Sequence, residues 1–149
     1  MEVYERRSPM PVSAEELFAW HARPGAFERL VPPWQRVKVL DHSAGVADGS
    51  RVVLQVQAGP LRGKWTAEHF DVVPGRQFAD RQVSGPFKSW EHTHRFIPDG
   101  DEASILEDHL EYELPGPSSS ASSASATSAR ATISSVTRRR ATRRASRWA

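Results

Sequence analysis

Trp90-Glu91-His92-Thr93-His94-Arg95-Phe96 is the stretch of this chain best supplied for chemistry. Alternate side chains of a β-strand share a face. A strand here therefore turns Trp90, His92, His94 and Phe96 one way, and Glu91, Thr93 and Arg95 the other. Two imidazoles on one face can hold a metal, move a proton, or offer hydrogen bonds inside an apolar pocket. Neighbouring segments read with the same period supply the remaining candidates. His69 shares a face with Trp65 and Ala67, Asp80 and Gln82 with Phe78, and Asp108 with Leu106, Leu110 and Tyr112. With the aromatic faces turned inward, His69, Asp80, Gln82, His92, His94 and Asp108 meet among Trp65, Phe78, Trp90, Phe96 and Tyr112.

Three kinds of chemistry compete for that set. A metal needs converging ligands: His92 and His94 with His69 and a carboxylate would make a zinc or non-haem iron set. His-x-His on a strand is common without metal, however, and none is expected. Catalysis would use His92 or His94 as a general base held by Asp80 or Asp108. The chain offers no nucleophile elbow, no Gly-rich phosphate loop and no Ser or Cys nucleophile motif. Ligand binding takes the polar groups as hydrogen-bonding handles in an apolar pocket, and this fits the composition of the face best. The plain structural alternative is that His–Asp pairs on neighbouring strands satisfy one another in a core. Asp80–Arg81 and Glu91–Arg95 are candidate fold-holding pairs of that sort.

The elements that must position these residues follow from the punctuation. Residues 3–10 form a first strand closed by Pro9 and Pro11. Ser13 with Glu16 three residues on is a capping box, and Leu17, Phe18 and Trp20 follow, which predicts a helix over 14–22 with Trp20 in the core. Pro24-Gly25 ends it. A short helix over 26–30 precedes the rigid Pro32-Pro33 corner, and Trp34 is placed at a cavity rim. The period then changes to two, with strands at 36–42, 51–58, 64–72, 76–83, 89–97 and 104–114. Asp48-Gly49, Pro74-Gly75 and Asp99-Gly100 are the turns between several of them. Closely spaced strands with short turns imply an antiparallel meander. His42 and His109 fall on outward, solvated faces; the period does not place His21.

Bulk properties narrow the class. The 149 residues suffice for one core, and the absence of cysteine excludes disulfides, thiolate catalysis and Cys-ligated metal. The start does not read as a signal peptide and no stretch is long and apolar enough to span a bilayer, so a cytoplasmic protein is expected. Charge is divided sharply: residues 1–114 carry 13 Lys/Arg against all 18 Asp/Glu, a net −5, while residues 115–149 carry seven Arg and no acid. In that tail 29 of the 35 residues are Ser, Ala, Thr or Arg, a composition that cannot offset its chain entropy by burial. Two domains of unlike material are thus expected: a folded unit over 1–114 and a disordered Ser/Ala/Arg-rich tail over 115–149. The Arg138-Arg139-Arg140 run could contact nucleic acid or anionic membrane, but a tail with no such partner is the expectation.

Several motifs taken together carry a family resemblance. They are Phe18-Ala19-Trp20-His21-Ala22-Arg23-Pro24-Gly25-Ala26-Phe27, Pro32-Pro33-Trp34, Gly59-Pro60-Leu61, Trp65-x-Ala67-Glu68-His69, Asp80-Arg81-Gln82-Val83-x-Gly85-Pro86-Phe87, the opening stretch, Leu106-Glu107-Asp108 and Tyr112-Glu113-Leu114-Pro115. The chain resembles the SRPBCC ligand-binding domains, the START-like or helix-grip fold, in the branch sometimes fused to NAD-dependent epimerase-like proteins. The resemblance implies an α+β fold: a seven-stranded antiparallel curved sheet, two short N-terminal helices, and a long C-terminal helix closing a cavity. It implies no cofactor or metal, and suggests an epimerase-like protein as a possible partner. The tail does not supply the C-terminal helix. Either the chain lacks it or the reading frame changes near Pro115.

The expected function is binding of a small hydrophobic or lipid-like ligand in the cavity, in a non-enzymatic or accessory role. Trp65, His69, Phe78, Asp80, Gln82, Trp90, His92, His94, Phe96 and Tyr112 are the expected contacts. The alternatives are a polyketide cyclase- or dehydratase-like enzyme using His92, His94, Asp80 and Asp108, and an interaction protein acting through the basic tail.

Overall fold

The computed structural model describes residues 1–30, 37–42, 45–58 and 61–116. The side chains of Leu30, His42, Ala58 and Leu61 lie outside that description. So do Pro32, Pro33 and Trp34, and residues 117–149, on which the expected covering helix or tail falls.

Among the described residues nine elements follow in chain order: β1 (Glu2–Met10), α1 (Ala14–His21), α2 (Ala26–Leu30), β2 (Val37–His42), β3 (Arg51–Ala58), β4 (Leu61–Val73), β5 (Gln77–Ser84), β6 (Ser89–Pro98) and β7 (Ser104–Glu113). The strands make one antiparallel sheet in the order β1-β7-β6-β5-β4-β3-β2. This is a meander from β2 to β7 that the first strand completes by pairing with the last. The helix pair between β1 and β2 carries the chain from one edge of the sheet to the other. Gly75 and Gly100 take φ of +73° and +83° at their turns, a backbone conformation that costs glycine little and other residues more.

The Ser13 side chain caps α1 by accepting from the Glu16 amide at 3.2 Å, and Glu15 and Glu16 lie in the positive first turn. The helix buries Ala14, Leu17 and His21, which at 100° per residue lie within one narrow stripe. They cover Met10, Val12, Phe78, Phe96 and Leu106, the larger of two apolar clusters. Trp20, expected in the core, is only half-buried, because it stands about 90° off the centre of that stripe. Arg29 lies over its ring at 5.8 Å.

Charged side chains on the opposite face of the sheet pair across strands. Glu107 takes Arg7 at 2.9 Å and Arg95 at 2.7 Å, and Glu68 takes Arg51 and Arg81 at 2.8 Å each. These replace the expected pairs Asp80–Arg81 and Glu91–Arg95. Adjacent residues point to opposite faces, and residues four apart on a strand stand about 13 Å apart. His109 is on that outward face as expected, but it is held there by Glu5 and Glu111 at 3.5 Å and 3.1 Å.

Candidate functional site

Antiparallel partners share a face, so register alone assembles the inner polar residues. His69 on β4 stands opposite Asp80 on β5, Asp80 opposite His92 on β6, and His94 opposite Asp108 on β7. Two register shifts in the β4–β5 pairing, at Thr66/Ala67 and at Phe70/Val73, flank the His69–Asp80 pair. The result is a continuous alternation of imidazoles and carboxylates across four strands. His69 Nδ1 contacts Asp80 Oδ1. Asp80 Oδ2 lies 3.4 Å from His94 Nε2, and His94 Nδ1 lies 2.9 Å from Asp108 Oδ1. The same Asp108 oxygen faces His92 Nε2 at 3.3 Å, and the His92 and His94 rings stand 3.9 Å apart.

Exposure is graded along this chain. His94, Asp108 and His92 are 1%, 2% and 7% exposed, whereas the His69 and Asp80 side chains are 18% and 15% exposed. The buried end is therefore sealed and the His69 end meets solvent. Burial pushes the Asp80 carboxyl up, but hydrogen bonds from His69 and His94 and their charges outweigh it and hold Asp80 well below the usual carboxylate range. Asp108 is held low in the same way by His92 and His94 against an opposing burial effect. Burial pushes His69 down, and Asp80's hydrogen bond and charge overcome this and raise it.

A second cluster occupies the other end of the inner face: Phe87, Trp90 and Leu110, with Tyr4, Trp65, Tyr112 and Leu114 against them. Trp65 meets Trp90 edge-on with ring centres 4.9 Å apart, and Trp90 lies 5.9 Å from the His92 ring. Both indole N–H groups are buried and, among the described residues, have no hydrogen-bond partner. The turn before β6 is packed into this cluster. The Gln82 amide donates to the Phe87 carbonyl at 2.8 Å and accepts from the Phe87 N–H at 3.3 Å. A Cβ on Gly85 would stand 2.6 Å from Trp65 Cδ1.

The inward set of the sequence analysis is thus divided three ways. His69, Asp80, His92, His94 and Asp108 form the polar chain. Trp65, Trp90 and Tyr112 belong to the aromatic end. Phe78 and Phe96 stack 5.8 Å apart beneath α1, with Phe78 4.5 Å from the His94 ring. Gln82 is engaged with the Phe87 backbone, and the Tyr112 hydroxyl donates to Glu2 at 2.6 Å. His92, His94 and Asp108 are the three described residues whose donor atoms lie close enough together, within 4.8 Å, to share one metal ion.

Two contributions were not foreseen. His21 is buried at the end of α1, its ring donating from Nδ1 to the Leu17 carbonyl at 2.6 Å and standing 6.4 Å from His94. Its spacing of four from Leu17 was the available signal. Arg6 and Tyr4 stand opposite Asp108 and Leu110 on β1; the alternation Tyr4, Arg6, Ser8, Met10 was legible, but the pairing of first with last strand was not. An open, acid-lined cleft of about 670 Å³ between the start of α1 and the β6–β7 turn takes in none of these residues. Among the described residues no helix is long and apolar enough to cross a membrane.

The family model described as polyketide cyclase / dehydrase and lipid transport matches residues 10–136. No curated protein matches the chain. Solved structures share its fold. A START superfamily protein from Mycobacterium smegmatis is 14% identical with a TM-score of 0.62, over 95% of this chain and 97% of that one. Norcoclaurine synthase of Thalictrum flavum is 14% identical with a TM-score of 0.61, over 91% and 90%. The di-domain ARO/CYC BexL is 14% identical with a TM-score of 0.65, over 97% of this chain and 45% of that one. The family match spans most of the sequence, and the seven-stranded antiparallel sheet has the START-like form. The chain belongs to the polyketide cyclase / dehydrase and lipid transport family.

Proposed function

We propose that the chain binds a small, largely apolar molecule bearing an oxygen acceptor, seated against the aromatic end of the inner face. The carrying observation is the pair of buried indole N–H groups, Trp65 Nε1 and Trp90 Nε1, without a partner among the described residues. A buried donor left unsatisfied costs about 1–3 kcal/mol, a cost that an oxygen-bearing ligand removes. Phe87, Trp90 and Leu110 supply apolar wall around those donors. Titration of the full chain with 2-naphthol and with naphthalene, read by tryptophan fluorescence, tests this. One added hydrogen bond is worth about 0.5–1.5 kcal/mol, so 2-naphthol should bind roughly 2- to 10-fold more tightly, and Trp90→Phe should erase the difference. Equal binding of the two, or binding of neither, refutes the reading.

A specific observation favours a second reading, cyclase- or dehydratase-like catalysis. His69 is the partly exposed end of the chain His69–Asp80–His94–Asp108, and Asp80 raises its basicity. A partly exposed ring held by one carboxylate is an arrangement for general acid–base work. Retained naphthol binding with loss of any turnover in His69→Gln would favour it; unchanged turnover would exclude His69 from the chemistry.

A further inference from the structure

We propose that His92, His94 and Asp108 form a site for a divalent transition-metal ion of the zinc or iron(II) class, with Asp80 as the positioning residue behind His94. The proposal stands apart from ligand binding at Trp65 and Trp90, because it concerns the sealed end of the polar chain and is tested with metal alone.

Geometry carries it. Two histidines two apart on β6 project on one face, and Asp108 stands opposite His94 in register on β7. The three donor atoms lie within 4.8 Å of one another. His94 Nδ1 and His92 Nε2 both face a single oxygen of Asp108, at 2.9 Å and 3.3 Å. Nitrogen and oxygen ligands held at 2.0–2.2 Å in a tetrahedral set stand about 3.3–3.5 Å from each other. Two of the three donor pairs therefore already stand near the spacing of a ligand set, and the third lies within 4.8 Å.

The surroundings agree. A metal-bound histidine is usually held from behind by a carboxylate or carbonyl that fixes its tautomer. His94 has this: Asp80 Oδ2 faces Nε2 at 3.4 Å, leaving Nδ1 for the ion, and Asp80 is itself held by His69. All three ligands are buried, among Phe78, Trp90 and Leu110, so an ion there would be shielded from competing water. Two imidazoles and one carboxylate, with no cysteine in the chain, suit zinc or iron(II) over the hard ions magnesium and calcium. Three protein ligands leave a position open for water or an oxygen donor.

The test uses the full chain stripped with a chelator. Zinc is titrated by competition with a chromophoric chelator, and cobalt(II) reports geometry through its visible absorption. One equivalent should bind at micromolar concentration or tighter. Losing the partner that orients a ligand typically weakens such sites by about 10–100-fold; Asp80→Asn should do so, and His92→Gln and Asp108→Asn, which remove ligands themselves, should weaken binding at least as much. In Asp80→Asn the cobalt spectrum should also change, and Asp80→Glu should recover part of the affinity. His109→Ala, on the outward face, should leave binding within about 2-fold. Far-UV circular dichroism checks that each variant is folded. Failure of the wild-type chain to take up one equivalent of zinc or cobalt overturns the proposal without recourse to any variant. So does uptake unaffected by His92→Gln and Asp108→Asn in folded protein.

Discussion

Replacing Asp108 with leucine, which has a similar branched outline but no acceptor, should be the most damaging single change to the inner face. The Asp108 oxygen faces two buried ring nitrogens, at 2.9 Å and 3.3 Å. The shorter contact is a charge-assisted hydrogen bond worth about 1.5–3 kcal/mol, and a buried ring N–H left without an acceptor costs about 1–3 kcal/mol more. Together these place the loss at about 3–5 kcal/mol, the range seen when one partner of a buried pair is removed. Against a total stability of about 5–15 kcal/mol, the melting temperature should fall by roughly 10–20 °C. The assay is urea unfolding of chelator-stripped protein followed by tryptophan fluorescence, so that no metal contributes. His94→Leu and the double variant close a thermodynamic cycle. If the pair is the cause, the coupling should reach about 2 kcal/mol, because in the double variant neither member of this pair is left buried without the other. A loss below about 1 kcal/mol in Asp108→Leu, or additivity within about 0.5 kcal/mol in the cycle, would refute the network as a source of stability.

Other consequences can be checked with the same assay. The His69–Asp80 pair should stabilise most in mildly acidic solution. The raised His69 contributes fully below its unfolded value near 6.5 and is lost as pH rises through its folded value, while the depressed Asp80 contributes above about 3.8 and is lost as pH falls below that. The stability difference between wild type and His69→Leu should therefore peak between about pH 4 and 6.5; a difference that grows steadily above pH 8 would contradict the assignment. Gly85→Ala, whose Cβ would meet Trp65 Cδ1 at 2.6 Å, should cost about 1–3 kcal/mol and shift tryptophan emission, and an unchanged spectrum would show that the turn yields freely. Ser13→Ala removes the α1 cap and should cost about 1 kcal/mol. Because α1 covers Phe78 and Phe96, that loss should appear in the urea midpoint, not as local fraying alone.

Much of this arrangement was legible because periodicity acts within a few residues. Period two placed His92, His94 and Asp108 on one face, and the Ser13–Glu16 spacing marked the start of α1, because each depends only on local backbone geometry. The residues that the period misplaces or leaves unplaced share the complementary reason. Trp20, expected in the core, and His21, left unplaced, are neighbours on a helix whose buried stripe is chosen by the sheet beneath it, and Arg81 and Arg95 take their partners from other strands, Glu68 and Glu107. The division of the inner face into a core under α1 and an aromatic end with unsatisfied indoles also depends on where the helix lies. Helix position is a matter of packing between elements, and no spacing within one strand encodes it.

What the sequence by itself determined, then, is which side chains share a face, where the chain turns, and which family the motifs belong to. Only the tertiary structure decided which of those side chains meet. The pairing of β1 with β7 brings Arg6 opposite Asp108 across about a hundred residues. The register shifts in β4 and β5 set His69 against Asp80, and one Asp108 oxygen is shared by two histidines. Convergence to within hydrogen-bond distance is a property of strand register, and register is set by the whole sheet at once.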